Sequence, residues 1–173
     1  MHTPTHAALN FLVLGRRRDS PRAWILAGAV LPDVPMFGFF LFESLVRRES
    51  AEHIFRDLYF SPGWQTFFDV CHSIPLFLCF TVAFWWTRNR QGVAFALSLL
   101  LHAVVDWPTH LEDAHAYLWP FWRKPLPGFI SYWHRGSATW IFELALILGA
   151  LASWARERFT DATRSDAREF VKS

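Results

Sequence analysis

Leu101-His102-Ala103-Val104-Val105-Asp106 closes an apolar stretch, Val93 to Trp107, in which His102 and Asp106 are the only ionisable residues. A four-residue step sets imidazole and carboxylate one turn apart on the same face of a helix, where both can reach one metal ion. The stretch is too greasy for an ordinary solvated helix, and an ionisable group inside a membrane segment is costly unless it is paired, hydrated or metal-bound.

Three further apolar stretches lie between polar clusters. The first, Ala23 to Val46, is interrupted by Leu31-Pro32-Asp33-Val34-Pro35. Two prolines three apart, each removing a backbone donor and disfavouring helical geometry just before it, make an unbroken helix there improbable. Asp33 between them can aim into a cavity. The second, Trp64 to Trp86, carries Asp69 and His72, three apart and expected to share a helix face. The fourth, Ala138 to Trp154, has Glu143 as its one ionisable residue and is the cleanest span. About 20 apolar residues cross a bilayer, so the first two are long enough, while Val93 to Trp107 is expected to be partly interfacial.

Composition agrees. Of 173 residues 53% are hydrophobic and 18% charged, with 18 Phe and 10 Trp, which excludes disorder and falls below the roughly 25% charge of a soluble domain. Mean hydropathy is only +0.16 because the index scores Trp and Tyr as mildly polar, although both favour bilayer interfaces. A net charge of +2 lacks the concentrated basic excess of a nucleic-acid binder, so no nucleic acid is expected. Cys71 and Cys79, eight apart in one apolar stretch, lie too far apart on a helix for a disulfide.

The expected fold is therefore an all-α, membrane-embedded bundle of about four hydrophobic helices. Residues 1–155 form one domain and 156–173 a charged tail. Met1-His2-Thr3-Pro4-Thr5-His6 lacks the basic start of a secretory signal, so the mature chain is expected to begin at or near Met1. Counting Lys and Arg by loop favours cytoplasmic termini.

Taken singly, the polar residues have ordinary readings: Asp69 and His72 as a buried hydrogen-bonded pair, Asp33 as a helix cap, His6 as a surface residue. Taken together they would leave three apolar segments burying charge with no basic partner in view. A shared divalent ion removes that difficulty. Imidazoles with carboxylates and no thiolate cluster suit zinc-class ions, and a carboxylate between two ions is the arrangement used in phosphoester hydrolysis. The rival class is a non-enzymatic integral membrane protein with a structural or transport metal site, in which polar positions would be spread along a path through the bilayer. A third reading is a soluble, aromatic-rich helical enzyme that only touches the membrane.

Thr5-His6, Gly28-Ala29-Val30-Leu31-Pro32-Asp33, Cys71-His72-Ser73, Leu101 to Asp106 and Trp119-Pro120-Phe121 occur in this order, and residues 3 to 121 so read resemble the LexA-regulated, membrane-bound metal-dependent hydrolase family. That family is grouped with zinc-dependent phospholipase C and the fungal single-strand nucleases. The resemblance implies a phospholipase C-like bundle in a bacterial inner membrane, with one or two zinc ions and a phosphoester or phospholipid-like substrate. It further implies Asp33, His72, His102 and Asp106 as ligands of a first zinc, Asp106 as a bridge, and His6 as ligand of a second. A third site in the wider group would draw on His110, His115 and His134, but His134 is followed four residues later by Ala138 where an acid is needed. The two non-ligand candidates are Asp69, to orient His72 or act as general base, and His110, to ligate or move a proton. Thr109, His110, Glu112, Asp113 and His115 follow Pro108 as the expected cavity mouth, and Arg123, Lys124 and Arg135 are candidate attractors for a phosphate head group.

Overall fold

The computed structural model describes residues 1–17, 19–131 and 136–170, and every regular element among them is helical. Helix α1 (Thr3–Leu14) leads through an arginine-bearing turn into α2 (Arg22–Val30). A 3-10 turn at Leu31–Asp33 joins α2 to α3 (Val34–Leu41), which relaxes into a π turn at Phe42–Val46. A short helix α4 (Ala51–His53) and a second π turn (Ile54–Leu58) precede α5 (Pro62–Cys71), α6 (Ile74–Trp86), α7 (Arg90–Asp106) and α8 (Ser137–Phe170).

Four helical segments are long and apolar enough to cross a membrane: Arg22–Val46, Pro62–Trp86, Arg90–Thr109 and Thr139–Thr160. Large side chains on them, among them Leu45, Val82, Trp86 and Ile141, are exposed, as lipid-facing residues are. The third segment is longer than expected, because α7 begins at Arg90 and a 3-10 turn, Trp107–Thr109, extends it past Asp106. The anticipated domain edge at 155/156 falls inside α8, which continues to Phe170.

Small residues set the contact between α2 and α7. A Cβ on Gly28 of α2 would lie 2.5 Å from the Phe95 carbonyl and 2.8 Å from Ser98 Cβ on α7, and Ala29, Ala96 and Ala103 are fully buried. Where lipid removes the usual hydrophobic drive, such close approach lets dispersion and polar contacts hold helices together. Asn10 of α1 supplies the polar part. Its Nδ2 donates to the Ser98 carbonyl at 2.8 Å and to Ser98 Oγ at 2.7 Å, and Ser98 Oγ donates to the Ile25 carbonyl. One node thus ties α1, α7 and α2.

Two of the four segments are broken, and both breaks fall at the same place. Pro32 and Pro35 bracket the 3-10 turn, as the sequence predicts. The second break was not foreseen: α5 stops at Cys71, His72 caps it, and Ser73 restarts the chain as N-cap of α6, its Oγ accepting from Leu76 N–H. The freed groups find partners in the segment after α7, since Ile74 N–H donates to the Tyr117 carbonyl at 2.9 Å and Ser73 Oγ to the Trp119 carbonyl at 2.6 Å. Broken backbone at membrane depth is tolerated only where protein or a cavity surrounds it. On one side of the breaks packs a core of Phe77, Leu99, Ala103 and Tyr117, and on the other a core of Phe39, Ile54, Tyr59 and Phe68. The polar cluster sits between them.

Candidate metal centre

His6 comes from α1, Asp33 from the 3-10 turn, His72 from the break after α5, and His102 and Asp106 from α7, and all five are buried. They converge as overlapping triples: Asp33, His72 and His102; His6, His102 and Asp106; and His72, Asp106 and His115. Within each triple the ligand atoms lie within 4.8 Å of one another. The five residues singled out in sequence are thus brought together, and His115 joins them.

The tautomers carry the chemistry. His102 Nδ1 donates to the Ala29 carbonyl at 2.7 Å and His72 Nδ1 to the Phe68 carbonyl at 2.9 Å. With Nδ1 donating to a backbone carbonyl, each ring is fixed with its Nε2 turned inward. Both Nε2 atoms lie near Asp33 Oδ1, at 3.5 Å from His102 and 3.7 Å from His72. His102 Nε2 is buried without a hydrogen-bond partner. Two imidazole nitrogens turned on one carboxylate in a dry site need a proton or a metal cation between them and it. Two donors that share a tetrahedral zinc at 2.0–2.2 Å stand about 3.3 Å apart, close to the distances seen. The residues present therefore fit a divalent ion, and carbonyl-oriented imidazoles are the usual support for one. Thr3 Oγ1 donates to the other Asp33 oxygen, Oδ2.

Asp106 belongs to two of the triples. Its Oδ1 lies 3.0 Å from His6 Nε2, 2.9 Å from His110 Nε2 and 2.8 Å from the Met1 amino group. The His6 and His102 rings stack at 3.8 Å and those of His72 and His115 at 4.3 Å, so the four imidazoles pack as two stacked pairs.

Asp69 does not orient His72. The Phe68 carbonyl takes that role, because the helix break at His72 swings its ring away from the i, i+3 position a continuous helix would give. Asp69 Oδ1 instead accepts from Ala116 N–H at 2.8 Å and lies 3.5 Å from His115 Nδ1, holding the His115 segment. His110 is buried between two carboxylates, with Nε2 2.9 Å from Asp106 and Nδ1 2.9 Å from Asp113. Burial opposes charge on His110, but Asp106 and Asp113 outweigh it and raise its pKa to about 9. Burial, reinforced by His72, lowers His115 to about 4 and keeps it neutral. Burial likewise pushes the Tyr59 and Tyr117 phenols up.

A cavity of about 280 Å³ opens beside the cluster, lined by Asp33, His72, Asp106, His110, Asp113 and His115 on one side and by Met36, Phe37, Phe55, Tyr59 and Phe68 on the other. Of the residues expected at its mouth, Asp113 and His115 line it with His110. Glu112 is exposed and bonded to Ser131, and Thr109 Oγ1 accepts from the Met1 amino group. No Lys or Arg among the described residues lines the cavity, so Arg123 and Lys124 take no part in it. His134 and Arg135 lie outside the described residues. Sequence reasoning passed over Thr3, and placed Asp113 and His115 at the cavity mouth without joining His115 to the five ligand residues. His115 and Asp113 sit in an irregular segment without periodicity, and the one signal for them was an unusual density of His and acid within ten residues of Asp106.

No family model, curated protein or solved structure matches the chain. Among the described residues, fold and site define an all-helical arrangement with four membrane-length segments around buried His/Asp groups that could hold a metal ion.

Proposed function

We propose that the chain is a membrane-bound, metal-dependent hydrolase of a phosphoester, with a phospholipid-like substrate and one or two zinc ions held by His6, Asp33, His72, His102 and Asp106. The observation that carries the reading is the convergence of His72 Nε2 and His102 Nε2 on the Asp33 carboxylate, within overlapping His/Asp groups, beside a cavity with one apolar wall. When bound, a zinc ion supplies Lewis acidity, lowering the pKa of water and countering negative charge on a phosphoryl group.

The chain's own residues do the rest. Ala29 and Phe68 fix the two ring tautomers through their carbonyls, which keeps the donor atoms aimed without a reorganisation step. His110 holds a proton at Nε2 against Asp106, with Asp113 fixing its other nitrogen, which suits it to hand a proton to a leaving oxygen. Met36, Phe37 and Phe55 give the cavity a wall suited to the apolar part of a lipid. Convergence of the donors at one depth supports this reading over transport, for which polar groups would be strung along the bilayer.

The proposal extends to place: a bacterial inner membrane, as the family resemblance implies, with the Arg16, Arg17, Arg88 and Arg90 end of the bundle in the cytoplasm. The C-terminal part of α8 lies at that end, since Arg22 pairs with Glu157. Met1 does not; it is buried at the cluster.

The test is a screen of purified protein, zinc-loaded and metal-stripped, on phosphodiester and phospholipid substrates beside His110→Ala. Zinc-dependent turnover that falls at least a hundredfold in His110→Ala is expected. Turnover that is indifferent to zinc or to His110 refutes the proposal. Zinc bound without any turnover would favour the structural or transport alternative.

A further inference from the structure

We propose a second ligand site, for an anionic phospholipid, at the arginine-bearing end of the bundle. A groove of about 550 Å³ lies there between the turn after α1 and the α6–α7 connection. Its floor is apolar, made by Ile25, Val93, Ala94 and Leu97, with Trp85 as a wall, and its rim carries Arg17, Arg88 and Arg90. An acyl chain matches the floor and a phosphate matches the rim.

The rim is built rather than incidental. Arg90 is paired with Asp19 at 3.1 Å, which leaves Arg17 and Arg88 with no acidic partner among the described residues. Arg88, the residue after the C-cap of α6, sits at φ 53°, the left-handed conformation in which helices commonly end. Arg88 N–H donates to the Trp85 carbonyl at 3.0 Å, Asn89 N–H to the Phe84 carbonyl at 2.9 Å, and the Asn89 side chain caps Gly92 N–H at 2.9 Å. The guanidinium therefore starts from a fixed point.

Depth agrees with the occupant. Arg22 and Arg90 open two of the membrane-length segments, and Arg88 follows the end of a third at Trp86, so the rim lies where a bilayer places its phosphates and the floor where it places acyl chains. Arginines at such a boundary strengthen binding of anionic lipid by about fivefold each. The groove shares no lining residue with the cavity beside the His/Asp cluster, so the site stands whether or not the hydrolase reading does.

The experiment is lipid retention by the purified full-length protein in native mass spectrometry, with phosphatidylglycerol and phosphatidylcholine of matched chains and inorganic phosphate as competitor. The wild type is expected to retain phosphatidylglycerol over phosphatidylcholine by at least tenfold, undisturbed by inorganic phosphate. Arg17→Ala with Arg88→Ala should lose about 25-fold, fivefold for each arginine. Ala94→Trp, which fills the floor and keeps every charge, should lose the lipid too. Arg48→Ala with Arg56→Ala, both exposed elsewhere, should leave retention unchanged. Circular dichroism checks that each variant stays helical. Equal retention of the two lipids, equal loss in the Arg48/Arg56 pair, full retention in Ala94→Trp, or displacement by inorganic phosphate would each overturn the proposal.

Discussion

Gly28→Ala adds one methyl group at the tightest contact between α2 and α7. The new Cβ would stand 2.5 Å from the Phe95 carbonyl, about 0.9 Å inside the 3.4 Å at which contacts become ordinary. Backbone cannot rotate aside as a side-chain tip can, so the helices must part. Ala29 is the next residue, and its carbonyl holds His102 Nδ1 at 2.7 Å. A separation of about 0.9 Å along that direction stretches the bond to about 3.6 Å, beyond hydrogen-bond range. Overpacking of this kind costs about 1–3 kcal/mol, and loss of a group that orients a metal-bound histidine weakens metal binding about 10- to 100-fold. The assay is thermal melting of the detergent-solubilised protein with a zinc titration against a chelator of known affinity. Gly38→Ala is the control, because nothing lies within 4 Å of its added Cβ. Gly28→Ala with wild-type melting and wild-type zinc affinity would refute the α2–α7 packing and the orienting role of Ala29 together.

Asn10→Ala removes the node between α1, α7 and α2; a loss of about 1–2 kcal/mol with zinc stoichiometry unchanged is expected, and reduced stoichiometry would show that the node shapes the site itself. Gly128→Ala sets a Cβ 2.2 Å from the Trp107 carbonyl and should break the Gly128 N–H bond to the His110 carbonyl, lowering turnover while α7 keeps its ligands; unchanged turnover counts against His110. The metal-stripped protein should be most stable near pH 6.5. His115 has a folded pKa of about 4 against 6.5 unfolded, so below 6.5 the unfolded chain takes up protons first and stability falls towards pH 4. His110, raised from 6.5 to about 9, contributes fully below 6.5 and loses that contribution as the pH rises through 9. Melting temperatures that do not vary between pH 4 and 9 would contradict both placements.

Most of the architecture was legible because apolar length is a property of composition. The spans could be read from stretches such as Ala138 to Trp154, and the break at Pro32-Asp33 from proline chemistry. The break at His72 was harder. Its signal is Ser73-Ile74-Pro75, an N-cap with proline at the second helical position, and it was masked by an apolar run that continues through it to Trp86. That one omission underlies the reading of Asp69 as the group that orients His72, because the i, i+3 relation holds only on an unbroken helix. His102 and Asp106 were read from spacing alone, since nothing interrupts α7 between them. Asp113 and His115 were not, because their positions depend on a loop that folds back through contacts such as Ala116 to Asp69, and long-range pairing of that kind leaves no local period.

Metal content per chain bears most directly on the buried cluster. Wild-type protein, purified without added metal or chelator and measured by plasma mass spectrometry beside His102→Ala and Asp106→Ala, should carry one or two zinc ions, and each variant should lose at least one while remaining helical. Wild-type protein free of transition metal even after incubation with zinc, or variants with undiminished content, would contradict a metal centre built on these residues.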